Sequence, residues 1–184
     1  IAGLGKGSAQ GERLGNKFLH NIRETDAVLK VVRCFEDDDI IHVDGSVDPI
    51  RDIEVIELEL IFADLETTTK RLSQVSRTAK GGDKDSIAEK ELLEKLIPVL
   101  ESGKSARALS MNSAEEQIAK HWHLLSNKPV LYCCNVADGD VPHGGPLVDR
   151  VRERAASEGS GVVVVSGRIE SELAELEGAD LKEM

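Results

Sequence analysis

An α/β fold, in which a parallel sheet is interrupted by a long antiparallel helical hairpin, is predicted by three features of the sequence. Three apolar runs rich in β-branched residues, AVLKVVRCF (27–35), KPVLYCCNV (128–136) and GVVVVSGRI (161–169), alternate with helix-patterned stretches, as in parallel strands joined by crossover helices. Between the first two runs the period changes: Leu58, Ile61, Leu65, Thr68, Leu72 and Val75 step by three and four, a heptad seam. Behind that seam, Gly81 and Gly82 supply a turn into a second leucine-striped segment.

Taken in order, the glycine-rich opening IAGLGKGSAQGERLG leads into a short helix over NKFLHNIRETD, with Phe18, Leu19 and Ile22 on one side. Strand 27–35 is bounded by Asp26 and by the acidic run Glu36–Asp39, which reads as a solvated loop, with magnesium binding as the alternative. The long helix runs from Asp48 to about Ala79 and, at 1.5 Å per residue, reaches roughly 45 Å. Asp83 caps a second helix over 84–102, in which Pro98 is expected to kink or shorten the end. Facing stripes and a Gly-Gly tip make the pair an antiparallel hairpin projecting from the core. A connection then leads to a short helix from Ser113, where S-A-E-E resembles a capping box. The α/β pattern resumes with strand 128–136, a helix over 145–158 entered at Pro146, strand 161–169 and a final helix over 170–177. The expected organisation is 1–47, 48–127 (the helical insertion) and 128–184.

Composition narrows the functional classes. Of 184 residues, 34 are acidic and 23 basic, a formal net charge of -11, so the average surface repels phosphate backbones and anionic lipid. Cys34, Cys133 and Cys134 lack C-x-x-C spacing and sit in apolar runs, as reduced core residues of a cytosolic protein do. No apolar run approaches the ~18 residues of a membrane span. A cytoplasmic protein is expected, and the start at Ile1 without a methionine suggests an interior fragment.

In open parallel sheets, ligands bind beyond the carboxyl ends of the strands. The second strand ends in Asn135-Val136-Ala137-Asp138, an amide and a carboxylate spaced to match a purine edge; a strand-to-loop turn explains the same residues. The third ends in Ser166-Gly167-Arg168, where a small residue and backbone N–H groups can cover the same ring. The opening Ile1-Ala2-Gly3 fits the end of an Asp-x-x-Gly motif whose glycine N–H meets a terminal phosphate. His121 and His123, flanking Trp122, point to different sides of a helix and read as structural, and His20 and His143 as surface positions. Lys70, Arg71, Arg77, Lys80 and Lys84 cluster towards the hairpin tip, either to contact RNA or to keep the helices soluble.

The stretches IAGLGKGSAQGERLGNKFL, NIRETDAVLKVVRCFEDDDIIHVDG, VDPIRDIEVIELELIFADLETTTKR, AKGGDK and VVVVSGRIESELAELE run over nearly the whole chain, and in them the sequence resembles the Obg-like ATPase (YchF) family. The resemblance implies a translation-factor-related P-loop NTPase fold, present here as a partial parallel sheet with an inserted antiparallel coiled-coil hairpin. It also implies that a Walker A loop, switch I and a ubiquitin-like domain lie outside the chain. Family members characteristically prefer ATP, with Asn-x-x-Glu at the base; Asp138 departs from that pattern by one methylene, about 1.3 Å of reach. Leu4 stands where many GTPases carry a catalytic glutamine, and the resemblance assigns water positioning or proton transfer to His42, for which a half-exposed loop histidine is the alternative. It further implies Mg2+, with ligands mainly outside the chain, and association with the ribosome. The expected function is an ATP-binding, slowly hydrolysing switch, the alternatives being a GTPase or a non-catalytic binding module acting through the hairpin.

Overall fold

The computed structural model describes residues 18–36 and 47–175. The chain divides into two compact units, Ile1–Asp26 with Val55–Lys128, and Ala27–Glu54 with Pro129–Met184.

The second unit carries the sheet. Strands β1 (Val28–Arg33), β2 (Val130–Asn135) and β3 (Gly161–Val165) lie in the order β1-β2-β3, all parallel. One face is sealed: Val32, Cys34, Val130, Tyr132, Cys134 and Val136 pack with Ile53 against Val148, Val151 and Ala155. Those last three recur at i, i+3 and i+7 along helix α5 (Pro146–Glu158), so they form one stripe. Pro146 starts that helix with its φ preset, and Gly159 ends it at φ 70°, a left-handed cap that glycine adopts without strain. Alternation along the strands sends Leu29, Val31, Leu131 and Val163 to the opposite face, where they are 57, 67, 39 and 41 % exposed. Parallel sheets ordinarily bury both faces; among the described residues, these four side chains of one face stay exposed while Cys133 between them is buried.

The third strand is shorter than the apolar run suggests. It stops at Val165, and Gly167–Ala174 form helix α6. The Ser166 hydroxyl accepts from the Ile169 amide at 3.3 Å, an N-cap that turns the chain from strand to helix.

The first unit is helical. Its first described element, α1, covers residues 18–23. Helix α2 (Pro49–Ala79, with residues 49–54 in the other unit) is followed by α3 (Lys84–Glu101), a 3-10 turn (Ala106–Ala108) and α4 (Ser113–Lys120). One apolar cluster unites Ile61 and Val75 of α2 with Leu92, Leu93, Leu96 and Leu100 of α3, and with Ala119, Trp122 and Leu124. Of the α2 seam, Ile61, Thr68 and Val75 are buried and Leu65 and Leu72 partly so, whereas Leu58 is 42 % exposed.

Among these leucines sits a buried carboxylate. Asp64 accepts from the amides of Leu125 and Ser126, both at 2.8 Å, and from Ser126 Oγ at 2.7 Å. Burial pushes its carboxyl above the ordinary range, against the pull of these donors. Ser126 Oγ in turn accepts from the Ala106 amide at 2.9 Å, so one hydroxyl and one carboxylate tie three segments together.

Two local expectations are corrected here. Pro98 does not shorten α3, which runs on to Glu101. Near the end of a helix, a missing N–H forfeits a single bond, and the Ser102 amide closes the turn onto the Pro98 carbonyl at 3.1 Å. The capping box of α4 is set one residue earlier than S-A-E-E: Asn112 Oδ1 accepts from the Ala114 and Glu115 amides, and Glu115 Oε2 accepts from the Asn112 amide. Among the described residues, no helix is long and apolar enough to cross a membrane.

Candidate functional site

The strand-end residues meet at the carboxyl edge of the sheet. Register pairs Asn135, the last residue of β2, with Val165, the last residue of β3. The Val136 amide donates to the Val165 carbonyl at 2.9 Å, and the Cys34 amide to the Asn135 carbonyl at 2.8 Å. Parallel pairing therefore sets Asn135 beside the turn Ser166-Gly167-Arg168.

Five side-chain contacts fix the geometry. Asn135 Oδ1 accepts from the Gly167 amide at 2.8 Å. A Cβ at Gly167 would stand 3.3 Å from that same oxygen and 3.5 Å from Asn135 Nδ2, so a larger residue would press on the amide. Ser166 Oγ donates to Asp138 Oδ1 at 2.5 Å while accepting from Ile169; the serine is 3 % exposed. Arg168 Nε lies 3.4 Å from Asp138 Oδ2 and 3.2 Å from Glu172 Oε1. With Oδ1 committed, the Asn135 carboxamide is oriented and its Nδ2 remains as the donor end.

Asn135, Asp138, Ser166, Gly167 and Arg168 are thus gathered in one place. Val136 differs: its side chain is in the core and its amide is spent on β3, leaving its carbonyl as the polar group. Gly3 and His42 lie outside the described residues. Glu172, which orients Arg168 from one turn along α6, escapes sequence reasoning because an i, i+4 pair is common on any helix surface.

Beneath the site the three cysteines are free and buried. A hydrogen bond with Cys134, reinforced by burial, drives the Cys34 thiol far above its ordinary range, and burial raises that of Cys133. The same bond holds the Cys134 thiol below its ordinary range, against burial, and all three side chains are packed in the interior. No group of three or more His, Cys, Asp or Glu side chains that could hold a metal ion occurs among the described residues.

No protein-family model matches the chain. Individual relatives do. The chain is 51% identical over 182 residues, 98% of its length and 50% of the relative's, to the ribosome-binding ATPase YchF of Bacillus subtilis. It is 49% identical over 183 residues to the protein of that name from Escherichia coli O157:H7, covering 100% of this chain and 50% of that one. Obg-like ATPase 1 of Saccharomyces cerevisiae matches at 43% over 145 residues, 76% of this chain and 37% of the relative. Among solved structures, the Schizosaccharomyces pombe YchF GTPase superposes with a TM-score of 0.81 at 32% identity, covering 99% of this chain and 50% of that one.

The fold, with its paired strand-end segments, is therefore that of an Obg-type P-loop nucleotide protein. More narrowly, the chain belongs to the YchF/Obg-like ATPase family. It spans about half the length of the curated relatives it matches.

Proposed function

We propose that this chain carries the base-recognising part of an ATP-binding, slowly hydrolysing switch that works on the ribosome in the cytoplasm. The observation that carries the reading is the cross-link between two strand ends, Gly167 amide to Asn135 and Ser166 hydroxyl to Asp138, at the edge where open parallel sheets bind ligands. In this reading Asn135 Nδ2 donates to a purine ring nitrogen and the Val136 carbonyl accepts from the adenine amino group. Asp138 borders the ring, while Ser166, Gly167 and the Arg168 stem cover its face. A ring held this way needs no charge of its own, since every contact is a hydrogen bond or a stacking surface.

Gly3 is assigned to the terminal phosphate and His42 to the attacking water. Mg2+ accompanies the phosphates, and none of the described residues is assigned as its ligand. The relatives' name, ribosome-binding ATPase, supports both ATP hydrolysis and the ribosomal partner. We assign α2 and α3 to an inserted antiparallel coiled-coil hairpin, 48–127, between nucleotide-domain segments 1–47 and 128–184. Its exposed Lys70, Arg77, Lys80 and Lys84 form the face turned to ribosomal RNA.

A GTPase reading is favoured by one observation: Asp138, pinned by Ser166, presents a carboxylate acceptor of the kind that suits the N1–H and amino group of guanine. A solved relative is likewise named a GTPase. Competitive titration of ATP and GTP against the intact protein separates the two. Tighter ATP binding that Asn135→Ala weakens supports the proposal; GTP at least about tenfold tighter, about 1.4 kcal/mol, overturns the adenine assignment.

A further inference from the structure

We propose that the groove beside Trp122 in the helical unit is a binding site for a compact phosphate chain, such as inorganic pyrophosphate. The groove encloses about 530 Å³, the size of small-ligand pockets. Its floor is the buried indole of Trp122, and its walls present Arg23, Thr67, Lys70, Arg71 and His121. This site is independent of the strand-end site at Asn135, which belongs to the other unit.

The polar groups there are mostly donors. Lys70 Nζ has no protein partner among the described residues, and neither does Arg71 Nη1. Arg71 Nε and Nη2 are held by Glu89 at 2.6 and 2.8 Å. That bidentate pair, with the Trp122 N–H at 2.8 Å, consumes the Glu89 carboxylate and fixes the guanidinium plane before any ligand arrives. Arg23 Nη2 donates to Thr67 Oγ1 at 3.2 Å, and Thr67 donates onward to the Ala63 carbonyl at 2.8 Å, which sets the second guanidinium. Among the described residues, Glu66 is the only carboxylate in the lining left unmatched. Among the described lining residues, Arg23, Lys70 and Arg71 against Glu66 and Glu89 leave one positive charge in excess before His121 is counted, in a chain whose formal net charge is -11.

Two preset guanidinium groups and a free ammonium suit an oligoanion with several oxygens better than a lone carboxylate, because each cation can take a separate oxygen. The Arg71–Glu89 pair links the ligand to the indole: an anion drawing on Arg71 shifts the acceptor of the Trp122 N–H. Trp122 is the chain's one tryptophan, so its emission reports on the groove.

The test is a fluorescence titration of the whole chain with sodium pyrophosphate, at ionic strength held constant with sodium chloride. Saturable change with half-saturation at about 1 mM or below is expected. Lys70→Gln and Arg23→Gln each weaken it about tenfold, and Glu66→Gln tightens it. Circular dichroism of each variant establishes that the helices are intact. The proposal is overturned if emission does not saturate, if chloride alone reproduces the change, or if the two folded cation variants respond like the parent. It is also overturned if single-stranded oligoadenylate moves the emission and pyrophosphate does not, which would make the groove part of a nucleic-acid surface. Because the readout is local to Trp122, a negative result leaves the reading of Asn135 standing.

Discussion

Trp122 donates its indole N–H to Glu89 Oε1 at 2.8 Å, the same oxygen that Arg71 Nε approaches to 2.6 Å. One carboxylate therefore joins α2, α3 and the segment after α4. The Arg71 guanidinium, assisted by Trp122, holds the Glu89 carboxyl below the ordinary glutamate range. A lowered folded pKa means that the bond contributes fully above the unfolded value of about 4.3 and is lost as pH falls through the folded one. Acidification from neutrality through that lowered folded value is expected to shift Trp122 emission to the red. Glu89→Gln, which weakens the pair at every pH, should flatten that titration, and a tryptophan emission series at constant salt checks both.

Asp64 is a costly position to truncate. Asp64→Ala removes the acceptor for two buried amides and a hydroxyl, at about 1–3 kcal/mol for each group left unsatisfied. A loss of at least about 3 kcal/mol is expected in urea unfolding followed by Trp122 emission. Asp64→Asn keeps one acceptor oxygen and should lose less.

Ser166→Ala removes the cap of α6 together with the donor to Asp138. Removing a helix cap costs about 1 kcal/mol. Calorimetric nucleotide titration should show weaker binding, because Asp138 loses the hydroxyl that anchors it.

Gly167→Ala tests close approach at the site. The added methyl would stand 3.3 Å from Asn135 Oδ1, tight enough to displace the amide by a few tenths of an ångström. Nucleotide affinity is expected to fall several-fold while the melting temperature changes little, since alanine suits the first turn of a helix. Unchanged affinity would remove the Gly167–Asn135 bond from the site.

Much of this architecture is legible in the sequence, because its signals are periodic. The long helix ends at Ala79 where Gly81 and Gly82 follow, and Pro146 marks the start of α5. Strand boundaries are less legible. VVVVSGRI is apolar enough to continue as strand, and only the Ser166 side chain, by capping, makes Gly167 helical. Asp64 is invisible for a related reason: its position on α2 reads as a polar interruption until the partners from residues 125 and 126, some sixty positions away, are known. At the candidate site the residue types at the two strand ends are readable and their mutual bonds are not. Spacing places Asn135 and Ser166 on adjacent strands, but the pairing of Asp138 with Ser166 depends on how the loop after β2 folds back.

The open face of the sheet has a practical consequence. Leu29, Val31, Leu131 and Val163 form an exposed apolar strip across the strands, and water gains by expelling it. Prepared as these 184 residues, the polypeptide should bind the dye anilinonaphthalene sulfonate while still folded, and should clump as it is concentrated. Lysine at Val31, the most exposed of the four, would suppress both effects and give a better-behaved sample for every titration described above.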